Sequence, residues 1–250
     1  MELRLVRHAL VDSTNERALA AIADGTARHG DVHMAEGQSA GRGRLGRGWA
    51  SASGEGLYLS VVLLPSAPVV PTALTMGAGL AVLEAARALG ARRARLKWPN
   101  DVLVEGAKLA GILVEARGTA PPHGTAPSHA VVGIGLNVRQ RAFPPELEAE
   151  RPVTSLARLG FAHDLDEAAA ALLARLAPRL AAALEHPHEI ARDYARALDL
   201  VGRQVRVRDG QGETRGRLHA LTLEGLELED VRGARTRHLL EHVQALEPEV

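Results

Sequence analysis

The chain reads as an α+β protein that ends in a small β barrel. Helical and strand periodicities are interleaved without strict βαβ alternation. The chain has 250 residues, 46% of them hydrophobic, enough for a large core without staples. After Val201 short apolar stretches are punctuated by Asp209-Gly210, Glu224-Gly225 and Arg232-Gly233, the signature of short strands and close turns.

The elements follow in order. Leu3 and Leu5 alternate with Arg4 and Arg7, a short strand over 3–8. Asp12-Ser13-Thr14-Asn15-Glu16 offers helix N-caps, and Ala18, Leu19, Ala21 and Ile22 then recur at helical spacing until Gly25. Residues 31–36 and 56–64 read as strands, the second apolar enough to be buried on both faces. Pro71 opens a buried helix over 72–89 and Gly90 ends it. Residues 94–98, 110–117 and 129–138 are strands of one sheet, and Gly118–Ser128, rich in Pro, Gly and Thr, is a surface loop. Helices over 164–184 and 187–199 break at Pro187. A boundary near 199–202 divides the chain into domains 1–200 and 201–250. No internal repeat is visible.

Composition excludes several classes. Thirty Lys+Arg balance thirty Asp+Glu, so the basic excess of a nucleic-acid binder is missing. With no cysteine, disulfide scaffolds and Cys-ligated metals are excluded. No run of ~18 apolar residues exists, and Met1–Arg7 has no apolar signal region, so a cytoplasmic protein without membrane contact is expected.

The strongest local signal is Gln38-Ser39-Ala40-Gly41-Arg42-Gly43-Arg44-Leu45-Gly46-Arg47-Gly48-Trp49. Gly41, Gly43 and Gly46 match G-x-G-x-x-G, yet no helix opens there and no βαβ unit follows, which argues against a dinucleotide site. A kinase phosphate loop fails for want of H-R-D and D-F-G. Mobile backbone and three arginines suit a loop that folds over a phosphate or carboxylate; a solvated turn or an RNA-binding Arg-Gly patch is the bland reading.

Further motifs follow: Arg95-Leu96-Lys97-Trp98-Pro99-Asn100-Asp101-Val102, Lys108-Leu109-Ala110-Gly111-Ile112-Leu113-Val114-Glu115, and Val132-Gly133-Ile134-Gly135-Leu136-Asn137-Val138. With Asp12-Ser13-Thr14-Asn15 and the Gly-Arg loop, their order and spacing resemble the biotin protein ligase family over most of residues 1–160. The resemblance implies a mixed-sheet biotin/lipoate-ligase-like catalytic domain followed by an SH3-like barrel. It implies formation of biotinyl-5′-AMP from biotin and MgATP, then transfer of biotin to a lysine of a biotin carboxyl carrier protein. Mg²⁺ accompanies ATP, and no resident metal site is expected.

The chemistry agrees. Joining a carboxylate to a polyphosphate needs clustered cations. By the resemblance, Lys108 touches the biotin carboxyl and the α-phosphate, and Arg42 and Arg44 close over biotin and its adenylate. Ser13, Thr14 and Asn15 match the segment that hydrogen-bonds the ureido ring, which calls for neutral partners. Gln38, Gly41, Gly43 and Gly111 complete the biotin site, with Gly133 and Gly135 allowing close backbone approach to the ligand. Trp49 and Trp98 are apolar walls for biotin or adenine, or simply core. Asn100 and Asp101 position the nucleotide or Mg²⁺, or form a buried turn after Pro99. Asn137 faces the nucleotide. No residue of Gln140–Pro152 is carried over, though the family's adenylate-ordering loop lies there. The family's basic residue after a C-terminal glutamate is missing or shifted, for Glu241 precedes His242-Val243-Gln244-Ala245.

Some relatives carry an N-terminal DNA-binding domain. The catalytic pattern here begins by Asp12, so no operator-specific DNA binding is expected; a homodimer through the catalytic sheet is compatible with the family. His238-Leu239-Leu240-Glu241-His242 matches H-x-x-E-H but leaves only eight residues for a third zinc ligand. A lipoate ligase of the same fold and a non-enzymatic RNA-binding module are the competing functions; neutral charge and few aromatics disfavour the latter.

Overall fold

The computed structural model describes residues 1–117 and 129–249, so the surface loop expected at Gly118–Ser128 lies outside the described residues. Seven strands form one mixed sheet: β1 (Arg4–Val11), β2 (Asp31–Gln38), β3 (Gly56–Leu63), β4 (Ala94–Lys97), β5 (Asp101–Val104), β6 (Ala107–Arg117) and β7 (His129–Asn137). Their order is β1-β2-β3-β7-β6-β5-β4, parallel only between β1 and β2.

All eight residues of β3 are buried, as its apolar run predicts. Its alternate residues serve two faces. Leu57, Leu59, Val61 and Leu63 join the main core with α2 (Pro71–Ala88), α4 (Leu165–Glu185) and α5 (Pro187–Leu198). Val62 meets Ala18 and Leu19 of α1 (Thr14–Ala23) on the other face, where Ser60 is also buried. Ser13 occupies the α1 N-cap position in extended conformation but makes no capping hydrogen bond, contrary to expectation.

Two elements escape the sequence reading. The Lys97-Trp98-Pro99-Asn100-Asp101 stretch is the turn of a hairpin whose return strand is β5. A short helix, α3 (Pro145–Glu150), follows β7. Lys108 lies within β6, not ahead of it.

Beyond α5, five strands form an antiparallel sheet: β8 (Gln204–Asp209), β9 (Gly212–Leu221), β10 (Leu226–Glu229), β11 (Arg235–His238) and β12 (Ala245–Pro248), in the order β11-β10-β9-β8-β12. Val205, Val207, Leu218, Leu226 and Leu246 belong to the same apolar cluster as α2, so the small sheet is docked on the large unit. Trp98, 4% exposed, donates its indole N–H to Val243 O at 3.1 Å, and Lys97 pairs with Glu247 at 3.2 Å. Trp98 also packs edge-on against Tyr194 and is a core residue that clamps the two sheets together.

Candidate active site

The face of the large sheet beneath α1 carries a cavity of about 520 Å³. Cross-strand register builds its floor. Gly111 of β6 stands opposite Gly135 of β7, and Leu113 opposite Gly133. Ser60 and Tyr58 of β3 continue these rows. A Cβ at Gly135 would lie 2.3 Å from the Trp49 indole, one at Gly111 3.0 Å from it, and one at Gly133 2.2 Å from Asn15 Oδ1. Gly133 and Gly135 line the cavity, and the close approach their missing side chains allow is made by Asn15 and Trp49 of the chain itself.

One end of the cavity is neutral and hydrogen-bonded. Thr14 N–H donates to Gln38 Oε1 at 2.8 Å, and Gln38 Nε2 donates to Ser51 Oγ at 2.7 Å. Ser60 Oγ lies 2.7 Å from Thr14 Oγ1 and donates to Asn15 Oδ1 at 2.6 Å. Ser13, Thr14, Asn15 and Ser60 are all buried. Glu115, which sequence reasoning passed over, fixes this end. Its carboxylate accepts from Asn15 Nδ2 at 2.8 Å and from Arg42 Nη2 at 3.1 Å.

The other end is cationic. Arg44, Arg47, Lys97, Lys108, Arg151 and Arg208 line the cavity there, with the carboxylates Asp101, Glu241 and Glu247, while Arg42 turns back to Glu115. A chain of zero net charge thus concentrates positive charge at one place. Lys108 Nζ sits 2.6 Å from Asp101 Oδ1 and 5.3 Å from the centre of a Trp49 ring. Burial pushes the Lys108 pKa below the ordinary lysine value; Asp101 works against this shift, while Arg151 and Arg47 add to it. Burial also lowers the pKa of Arg44, which donates to Asn100 Oδ1 at 3.3 Å.

The Gly-Arg loop is a tight hairpin over the cavity. Arg42 and Gly48 form an antiparallel bridge, Trp49 N–H donates to Gly41 O at 2.8 Å, and Gly43 N–H donates to Arg47 O at 2.7 Å. Leu45, 81% exposed, anchors nothing; Arg42 does, through Glu16 and Glu115.

Most of the anticipated residues converge here: Ser13, Thr14, Asn15, Gln38, Arg42, Gly43, Arg44, Trp49, Asn100, Asp101, Lys108, Gly111, Gly133 and Gly135. Two do not. Gly41 lies outside the lining, where a Cβ would come within 2.5 Å of Trp49 O; its glycine serves the hairpin. Asn137 is buried beneath the following segment, donating to Thr154 O at 2.9 Å, so it lies behind the cavity rather than in it. Conversely, Glu241–Ala245 of the small sheet's connection line the cavity, a contribution the sequence left in doubt. His238 faces Asp209 at 2.9 Å, and among the described residues no three His, Cys, Asp or Glu gather in a metal-binding group. No helix among them is long and apolar enough to cross a membrane.

Known proteins resemble the chain in sequence and in fold. Residues 8–137 match the model of the biotin/lipoate A/B protein ligase family. The chain is 41% identical over 205 residues to a biotin–[acetyl-CoA-carboxylase] ligase of Mycobacterium tuberculosis, covering 80% of this chain and 72% of that one. It is 39% identical over 168 residues to the bifunctional ligase/repressor BirA of Escherichia coli, covering 67% of this chain and 50% of the relative, so it spans about half that protein's length. In structure it resembles an Aquifex aeolicus biotin protein ligase in complex with biotin and ATP, with a TM-score of 0.78, 29% identity, and coverage of 98% and 99% of the two chains.

Proposed function

The chain belongs to the biotin/lipoate A/B protein ligase family, and from that premise we propose the following reading of its cavity. The protein is an ATP-dependent biotin ligase. A biotin carboxylate oxygen attacks the α-phosphorus of ATP, the bond to the β-phosphate oxygen breaks, and pyrophosphate leaves. The uncharged amine of a carrier lysine then attacks the acyl carbonyl of biotinyl-5′-AMP and expels AMP. The acceptor is a biotin carboxyl carrier domain.

The observation that carries biotin over lipoate is the neutral end of the cavity. The ureido ring offers two N–H donors and a carbonyl, groups that Thr14, Asn15 and Gln38, backed by Ser60, can meet. A dithiolane ring has neither N–H donors nor a carbonyl and would gain no hydrogen bond from this end. Lys108 and Arg44 then lie at the cationic end to stabilise charge on the α-phosphate. Trp49 supplies an apolar ring beside the aliphatic tail. Asn100 and Asp101 meet the nucleotide. Asp101, engaged by Lys108, is the cavity carboxylate best placed beside a phosphate-bound Mg²⁺, which enters with ATP and offsets phosphate charge.

Arg42, pinned by Glu16 and Glu115, ties the hairpin loop to the biotin end and shields the mixed anhydride from water. The test is biotin-dependent ATP–pyrophosphate exchange, with biotinyl-5′-AMP detected by mass spectrometry. Exchange supported by lipoate instead of biotin would reassign the substrate. Absence of exchange together with tight RNA binding would replace catalysis by an RNA-binding role.

A further inference from the structure

Arg151 stands in the cavity with no part in that reading. It directly follows α3, and its backbone N–H donates to Leu147 O at 3.1 Å. The residues after it run beside β6: Lys108 N–H donates to Pro152 O at 2.9 Å, and Thr154 N–H donates to Lys108 O at 2.9 Å. Lys108 and Val153 form a parallel bridge. The two cations are therefore held on one backbone ladder.

The side chain of Arg151 is uncompensated. Its Nε is buried and meets no acceptor, and among the described residues its guanidinium forms no ion pair. Other cavity cations are engaged: Lys108 by Asp101, Lys97 by Glu247, and the exposed Arg42 and Arg44 by Glu16 and Glu115 and by Asn100, respectively. Arg47 and Arg208 also lack a carboxylate partner, but both are exposed and solvated by water. A desolvated guanidinium donor without a partner is unfavourable unless an anion completes it.

Strand β7 gives the order of groups along the cavity. Asn15 sits on Gly133, Trp49 on Gly135, and the Lys108–Thr154 ladder on Asn137. At about 3.3 Å per residue, the neutral end and the ladder are roughly 13 Å apart. An acid bound at the neutral end therefore directs its carboxylate toward Lys108, with Arg151 in the segment beyond. In a displacement at phosphorus, the attacking and leaving oxygens lie roughly in line. The leaving phosphates thus fall on the far side of Lys108 from the acid.

We propose that Arg151 is a phosphate-binding residue of the adenylation half-reaction, holding the oxygens of the two phosphates that depart as pyrophosphate. The inference rests on the ligase reading. As the bond between the α-phosphorus and the bridging oxygen breaks, its electron pair stays on the pyrophosphate. Arg151 offers a fixed fork of donors to that growing charge.

The two half-reactions separate the possibilities. Arg151→Ala should slow ATP–pyrophosphate exchange about 100-fold, the scale of one electrostatic contact, and raise the KM for ATP and for pyrophosphate. The KM for biotin should not move. Transfer from synthetic biotinyl-5′-AMP to a carrier domain involves no pyrophosphate and should also hold its wild-type rate. Arg151→Lys should recover part of the exchange. Equal loss in both half-reactions, or wild-type exchange with unchanged KM for pyrophosphate, would overturn the assignment. If the wild-type protein itself shows no biotin-dependent exchange, the ligase reading falls along with it; an unaffected variant beside an active wild type sinks the Arg151 proposal alone.

Discussion

At the scale of single residues, Lys108 shows opposing forces in one side chain. Burial disfavours its ammonium, and Asp101 at 2.6 Å offsets only part of that effect. Lys108→Ala should slow adenylation roughly 10²–10³-fold in a folded protein, as pyrophosphate exchange and circular dichroism would show together. Because the folded pKa is depressed, the ammonium fades at lower pH than in an ordinary lysine. Folding gains as pH rises through that range, while ammonium-dependent activity is lost. The basic limb of the exchange rate should therefore lie below the usual lysine range, and Asp101→Asn should move it lower still; an unmoved limb would remove Lys108 from the pH profile. Gly133→Ala would drive a methyl to 2.2 Å from Asn15 Oδ1, which Ser60 and Glu115 hold in place. Overpacking of this kind costs about 1–3 kcal/mol, so biotin affinity should fall roughly 5–150-fold by calorimetric titration. Lys108 and the loop arginines were legible because they sit inside motifs whose chemistry is charge. Asn137 misled because its residue type does not reveal that Thr154 caps it, and Arg151 escaped notice because its segment has no distinctive pattern.

At the scale of elements, the hairpin over 41–49 combines what the sequence declares with what it hides. Glycines and arginines announce an anion-binding loop. The bridge between Arg42 and Gly48, and the latch through Glu115 on a distant strand, depend on register that no local pattern encodes. The same limit explains β5, four residues folded back on β4, and the six-residue α3. Long apolar elements such as β3 and α2 were legible because burial fixes their composition. Arg44→Gly removes the contact with Asn100 and a cavity charge, leaving the Arg42 latch intact. A charge-assisted hydrogen bond contributes ~1.5–3 kcal/mol, so adenylate release should quicken roughly 10–150-fold. Biotin counted on an unrelated lysine-rich protein would measure this; equal labelling by wild type and variant would show that the loop does not retain the intermediate.

For the molecule as a whole, the clamp between the two sheets decides how the cavity is closed. Trp98→Phe leaves Val243 O without its indole donor. An unpaired buried carbonyl costs about 1–3 kcal/mol. Tm should fall by about 2–4 °C per kcal/mol in a chain of this size, and amide exchange should rise over residues 241–247. Unchanged exchange there would mean that the indole bond is not what holds the small sheet. Apolar texture after Val201 made a separate β unit legible, but docking depends on surface fit and was not. The shared cavity has a consequence in time. A chain growing from its N-terminus possesses Lys108 and the Gly-Arg hairpin long before Glu241–Ala245 exist to wall them in. An anhydride made on such a half-built chain would meet open water. Closure of the cavity therefore comes late, after the sheet that carries Lys108 has already been made.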